Sequence, residues 1–511
     1  MTTMAQTTQT PEAVSGIQLA QGIGVQQAKG FWADAWSQVL KRPSAVAALT
    51  WLGIIGFFAV FAPVLASGHP IVLRPMAEGA GGGSVSYPLL DHLKSSDAAL
   101  ILATLFAVPW IFYRREGRAA RLGAAMLAAL MMAIVVIGAS SFRTYLAGRN
   151  LAPWAAQLRD AEPLRVAGLR WDVAALAAVL AMALIAGAIG LALPVLRSVR
   201  RRAAMVAVGL IVGAAAVLGT WNRPSLVVFD YIQREAAGQV RATYTLVPFS
   251  PGQRFSAGDR QPPGSTLATA VNVDPASRAA QRKFLLGTDA FGQDVLTQLL
   301  SASRLAISIG LVSTGIAVVI GVTMGALMGY FGGWVDIVLF RIVEIFMAVP
   351  LLFLLIVAAA VLPTELRTTY TMMVIIGCFT WTGAARFTRA EFLKLRNQDF
   401  VQSARAVGLP LPSLLFKHML PNGVTPVLVD ASFGIAAAIA IEATLSYLGL
   451  GPVDQASWGK LLASAMSSEA QFKWWLAVFP GLAIFLTVLS YNLIGEALRD
   501  AIDPKLKKAR V

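Results

Sequence analysis

Cysteine is almost missing: Cys378 is the single one in 511 residues, so the chain makes no intrachain disulfide and no cysteine metal cluster. It lies inside an apolar run and reads as a packing residue. Charge is scarce as well. Only 14% of the residues are charged, where a soluble globular chain carries about 25%, while 57% are hydrophobic and the mean hydropathy is +0.66. A soluble globular class is thereby excluded. Also missing is a Gly-rich phosphate cradle ending in Gly-Lys-Ser/Thr. The only Gly-Lys pair, Gly459-Lys460, runs into Leu461 without the upstream glycine spacing. Any nucleotide energy must therefore come from another chain. No residue pattern reads as catalytic or metal-ligating, and no cofactor is expected.

What is present is a series of apolar runs near the roughly 20 residues that cross a hydrocarbon core of about 30 Å. Ten candidate spans cover 45–66, 98–112, 123–141, 173–196, 204–220, 305–328, 337–361, 370–387, 424–445 and 475–496. The net charge of +15 comes from short Lys and Arg clusters beside these runs, where they set orientation and meet anionic lipid headgroups. The broad basic footprint of a nucleic-acid binder is not there. Residues 1–29 are polar and Gln-rich, without the basic start and apolar core of a signal peptide, and read as a cytoplasmic tail. Phe31, Trp32, Trp36 and Val39 then fall on one face of an interfacial helix. With the amino terminus inside, Arg114, Arg115, Arg118 and Arg121, then Arg197 and Arg200 to Arg202, then Lys505, Lys507, Lys508 and Arg510 all fall inside. Both termini are then cytoplasmic. The loop 144–172 runs against the rule with Arg149, Arg159, Arg165 and Arg170, diluted by Asp160 and Glu162. Two long outer segments, 67–97 and 221–289, escape it by length, and 241–247 is a strand candidate there.

A polar interruption at 399–422, DFVQSARAVGLPLPSLLFKHMLPN, stands between two spans on the cytoplasmic side. It is built like a short capped helix: Asp399 accepts from first-turn amides with Gln402 reciprocal, Gly408 takes a left-handed stop, and Pro410 forbids continuation. A helix this short needs a packing partner. A second block, LLGTDAFGQDVLTQLL at 285–300, reads from its residues as a turn followed by a helix cap through Gly287, Thr288, Asp289, Gly292 and Asp294.

The stretch 399–422 resembles the "EAA" loop of ATP-binding-cassette importer permeases, with Gln402-Ser403-Ala404 at the signature triplet, then Arg405, Gly408, Leu409, His418, Leu420, Pro421 and Asn422. Gln402 in place of Glu removes a charge, and with it any ion pair at that position. The block at 285–300 resembles the LGTDxxGRD element of the dipeptide, oligopeptide and nickel "C-type" branch, with Gln293 in place of Arg. Further matches follow in order: GYFGGWVD at 329–336, Arg341, Pro350, ATLSYLGLG at 443–451, SWG at 457–459 and NLIGEALRDAIDP at 492–504.

The resemblance implies an all-α polytopic membrane protein of the bacterial inner membrane: the six-helix core of a type I importer permease, with about four additional transmembrane helices inserted. It divides the chain into a tail and interfacial helix at 1–43, a first core helix at 44–66, an insertion at 67–220, an extracytoplasmic loop at 221–289 and the core at 290–511. It also implies that Asp399, Gln402, Ser403, Ala404, Arg405, Gly408 and Leu409 dock into a groove on an ATPase subunit. The implied partners are a second, B-type permease, two ATPase subunits and an extracytoplasmic solute-binding protein, with peptide as the solute. The inserted spans are rich in Ala, Leu and Gly and read as lipid-facing or partner-packing helices. Three acids lie in apolar runs. Glu344 pairs with Arg341 at helical spacing, while Asp430 and Glu442, twelve residues apart, do not share a helix face and read as interface or partner contacts.

Overall fold

In the computed structural model of the chain the described residues are 31–76, 85–112, 118–146, 152–159, 164–166, 169–192, 198–221, 231–255, 258–270, 277–466 and 472–502. The tail at 1–29, Arg114, Arg115, Arg197 and the basic residues after 502 lie outside them. Helix α1 (Phe31–Val39) buries Ala35 and Val39 against Ala497 and Ala501 of the last helix. Span α2 (Pro43–Leu65) starts with proline in its first turn, where the missing N–H costs nothing, and carries a second one, Pro63, near its end.

Four helices follow: α3 (Ser95–Phe112), α4 (Arg118–Leu146), α5 (Val173–Ala192) and α6 (Val199–Thr220). They pack on one another around their own apolar core, with Leu127, Met131 and Val135 of α4 between Ala178 and Ala186 of α5 and Val206 and Val217 of α6. Among the described residues α3 links them to the rest by lying along α2, and one side chain strengthens the link. Pro63 has no N–H to give the carbonyl of Ala59, four residues back. Arg304 supplies the donor instead: its Nε bonds Ala59 O at 2.8 Å and its Nη2 bonds Val60 O at 3.3 Å. Its Nη1 pairs with Asp97 in the first turn of α3.

Apart from short helices at Pro88–Asp91, Tyr231–Ala236 and Leu420–Gly423, the described residues then form α7 (Val295–Phe331), α8 (Gly333–Ala348), α9 (Leu351–Val361), α10 (Thr369–Thr380), α11 (Thr382–Leu395), α12 (Asp399–Ala406), α13 (Thr425–Tyr447), α14 (Trp458–Ser464) and α15 (Trp474–Ile502). At 37 residues α7 is roughly 55 Å long, well beyond the hydrocarbon core, so it projects from the membrane. It packs tightly on α11 because Gly321, Gly325 and Gly329 present no side chain. A Cβ at Gly325 would strike the carbonyl of Ala385.

Among the described residues seven helices are long and apolar enough to span a membrane, against ten candidate runs in the sequence. The run 337–361 is the clearest departure. It is two helices, α8 and α9, bent by 82°. Pro350 explains the break, since it holds Val349 in extended backbone (φ −97°, ψ 133°) and starts a new helix. The run 370–387 divides at Trp381 into α10 and α11. In the first added run, the part Ser95–Leu105 of α3 is apolar but shorter than a span. The fold is helical with two small antiparallel sheets. Strand β1 (Val72–Pro75) pairs with β4 (Val240–Thr243), a shorter strand than the 241–247 read from sequence. Within 144–172, β2 (Leu164–Val166) pairs with β3 (Leu169–Trp171) after a short helix Pro153–Arg159.

Candidate functional site

Helix α12 sits at the exposed end of the α7–α11 pair. Val401, fully buried, and Ala404 seat it on Ala326 and Leu327 of α7, on Phe392 and Leu395 of α11, and on Leu414, Leu415 and Met419 of the segment that follows. That segment, Ser413–Met419, is a seven-residue π-helix, a rare form that is frequent at functional sites. The face of α12 away from the protein carries Phe400, Gln402, Ser403, Arg405 and Val407, all exposed. This is a helix seated on its own chain, with an exposed outer face of mixed polar and apolar character.

Its end is built as the sequence indicates. Gly408 has φ +75°, its N–H bonds Arg405 O at 2.9 Å, and the N–H of Leu409 bonds Ala404 O at 3.2 Å. These are the two hydrogen bonds of a Schellman stop. Its beginning is different. Gln398, in extended backbone (φ −77°, ψ 147°), is the N-cap, with no side-chain cap bond, and Asp399 is already the first helical residue. A capping side chain must precede the first helical φ/ψ pair, so Asp399 contributes its negative charge to the helix N-terminus and not a cap. Gln402 does not reach back to it but donates to Arg396 O at 3.3 Å. Arg405 is held by its own chain: Nε donates to the hydroxyl of Tyr330 at 3.1 Å, with the guanidinium 4.6 Å from that ring's centre. Sequence reading missed Tyr330, though its place in GYFGGWVD at the end of α7 marked it.

The block at 285–294 is brought together, far along α7 from α12, as a latch. Thr288 exchanges bonds with the loop at 258–262: its N–H donates to Gln261 O at 3.0 Å, its Oγ1 accepts from Gln261 N at 2.7 Å, and its hydroxyl donates to Gly258 O. Trp475 of α15 donates to Thr288 O at 3.2 Å. Asp289 accepts from Phe291 N (2.8 Å), Gln293 N (2.9 Å) and Gln298 Nε2 (2.8 Å). Asp294 caps α7, accepting from Thr297 N at 2.8 Å and its hydroxyl at 2.6 Å. Gly287 (φ +78°) and Gly292 (φ +69°) turn the chain where a Cβ would strike Gln261 O and Phe255 O. The geometry is that of turn plus cap, tying the loop 250–270 to α7 and α15.

Burial pushes the Asp294 carboxyl from 3.8 up to about 6, against its bonds from Thr297. A value higher in the folded than in the unfolded state means the folded chain holds the proton at pH 5 when the unfolded one has lost it. The resulting stability is fully present below about pH 4 and disappears as pH rises through about 6. Between about pH 4 and pH 6 the thermal midpoint of Asp294→Asn should therefore gain on that of wild type as pH rises, whatever slope other groups impose on both; a difference between the two that stays constant with pH removes Asp294 as its source.

The acids in apolar runs separate. Glu344 accepts from Arg341 at 2.6 Å. Glu442 is buried and accepts from Ser446 at 2.6 Å and Ser457 at 2.8 Å, so its contacts lie within this chain, fixing α14 to α13, and not in a partner contact. Asp430 lies beside Gly383 and within electrostatic reach of Arg386.

Residues 321–508 match the model of the binding-protein-dependent transport system inner membrane component, and residues 30–75 match that of the N-terminal TM domain of oligopeptide transport permease C. The dipeptide transport system permease protein DppC of Alkalihalophilus pseudofirmus is 34% identical over 245 residues, 47% of this chain and 79% of that protein. The oligopeptide transport system permease protein OppC of Bacillus subtilis is 36% identical over 239 residues, 47% of this chain and 77% of that protein. A solved structure of the MetNI methionine ABC transporter aligns at TM-score 0.32 and 17% identity, over 39% of this chain and 96% of that one.

Proposed function

The chain belongs to the family of binding-protein-dependent transport system inner membrane components, and from that premise we propose that it is the C-type permease of a peptide importer, coupled to its ATPases through α12. As a family member it is a multi-pass inner-membrane transport subunit and not an enzyme; the ATPase and the solute-binding protein are separate partners. We infer that one B-type permease and this chain form the path, and that two ATPases close on ATP. Asp399, Gln402, Ser403, Ala404, Arg405, Gly408 and Leu409 convert that closure into alternating access. Gly287, Thr288, Asp289, Gly292 and Asp294 hold the extracytoplasmic loop in place, and 67–220 is an insertion into the six-helix core. Both termini face the cytoplasm, a reading supported by the Arg clusters. Peptide as solute is supported by what the relatives' names say they transport.

The observation that carries the reading is the exposed, Schellman-stopped helix α12 mounted on the end of α7 and α11. Reconstitution tests it. In liposomes the purified chain alone should show neither ATP hydrolysis nor uptake, and both should appear with the B-type permease, the ATPases and loaded binding protein. Uptake by the chain alone under a proton gradient would replace this reading with that of a secondary transporter. In the same vesicles, in a Cys378-free background, an impermeant thiol reagent should reach Asp259→Cys from outside and Arg201→Cys only after lysis; the reverse pattern inverts the topology.

A further inference from the structure

Six ionisable residues sit on three neighbouring helices where apolar side chains would be cheaper: Asp336, Arg341 and Glu344 on α8, Arg386 and Arg389 on α11, and Asp430 on α13. Arg389 grips Asp336 with two bonds, Nε to Oδ1 at 2.5 Å and Nη2 to Oδ2 at 2.6 Å. Arg341 and Glu344 form a second pair, but the Arg341 side chain is 75% exposed and that of Glu344 44%. Asp336, Arg341, Glu344 and Arg389 border one open cavity of about 170 Å³.

Lipid does not suit this face, because ionisable residues within membrane helices turn toward the bundle interior or a water-filled cavity. The cavity is polar and far larger than the ~10–15 Å³ that admits one water. Exposed apolar residues occur on both parts, Leu180, Leu184 and Ile211 on the added helices and Trp334, Ile337 and Ile345 on α8, so what marks α8 is the charged cavity beside them.

We propose that the α8–α11–α13 face is the wall of a water-filled vestibule, and that Arg341 and Glu344 form a transient subsite there for a zwitterionic solute. The proposal deepens the peptide-importer reading and rests on it. The four ionisable groups bordering the cavity are two cations and two anions, so its lining carries no net charge and favours neither a polyanion nor a bare cation. A molecule with one free carboxylate and one free ammonium finds both partners. Its carboxylate takes the fork of Arg341, as guanidinium geometry favours, and its ammonium takes Glu344. Because the Arg341–Glu344 pair is exposed, it is weak and opens readily. A subsite on a conduction path must also let go, and weak exposed partners allow that.

The test reads accessibility rather than uptake, in the assembled complex with Cys378→Ala. Ile337→Cys and Ile345→Cys, both on the exposed side of α8, should react with a charged water-soluble thiosulfonate at least tenfold faster than Leu184→Cys on the added bundle. Millimolar glycylglycine should slow the reaction at Ile345→Cys several-fold, and the same dipeptide acetylated and amidated at its ends should not. Arg341→Gln with Glu344→Gln, both at exposed positions, should abolish that protection while leaving assembly intact. Equal rates at α8 and Leu184 would overturn the vestibule. Equal protection by free and capped dipeptide, or none by either, would overturn the subsite. Since labelling is read without transport, failure of the importer reading shows up separately, as a complex that never takes up peptide.

Discussion

Gly408→Val is expected to leave the protein at normal abundance in the membrane and to abolish uptake, with ATP hydrolysis no longer stimulated by loaded binding protein. Gly408 holds φ +75° and a Cβ there would meet nothing within 4 Å, so the lesion is one of backbone conformation and not of collision. Left-handed backbone costs an L-residue roughly 1–2 kcal/mol, and for a β-branched one it is a true outlier. Valine therefore pushes the chain out of the stop. The bonds from Gly408 N and Leu409 N to the last carbonyls of α12 are lost, and the outer face of the helix turns with them. No transmembrane helix contains the change, which is why insertion and abundance should hold. Gly408→Ala pays the left-handed cost without branching and should retain part of the activity. Wild-type uptake with normal retention of the ATPases by Gly408→Val membranes would show that α12 is merely a surface helix.

The stop of α12 was legible because Gly-Leu-Pro is local chemistry: one residue takes positive φ, and another forbids continuation. Its start was misread because Asp399 and Gln402 fit a capping pattern by composition, whereas the turn from extended to helical backbone falls one residue earlier, at Gln398. The same division runs through the fold. Apolar length located the long helices, but hydropathy is blind to direction, so 337–361 read as one span although Pro350 stood within it. For the block at 285–294, turn and cap could be read from Gly, Asp and Thr. Its tie to Gln261 and Trp475 could not, because partners so distant in sequence leave no local pattern. Pairing of β1 with β4 across the four added helices was invisible for the same reason.

Arg304 had a signal that composition alone obscures: a lone cation just ahead of a long apolar run, and a proline, Pro63, inside another. The proline leaves Ala59 O without a donor, and the arginine answers it while binding Asp97, whose side chain is 11% exposed. Removing one partner of a buried charge pair costs about 3–5 kcal/mol, because the other charge stays behind unpaired. Arg304→Met should approach the lower end of that range, since the arginine itself is 25% exposed. It also leaves Ala59 O unbonded, a further cost of about 1–3 kcal/mol when such a group is buried. The expected result is a fall of several degrees in the melting midpoint in detergent, with proteolysis first entering the α3–α6 bundle, because α3 is the helix released. Asp97→Asn should be milder, for an amide oxygen still accepts from the guanidinium. In the double variant the losses should not add, with a coupling of about 0.5–3 kcal/mol between the two sites. The ATPases should still bind, as α12 lies at the other end of α7. A melt of Arg304→Met superimposable on wild type would mean that α3 is held to α2 by apolar packing alone.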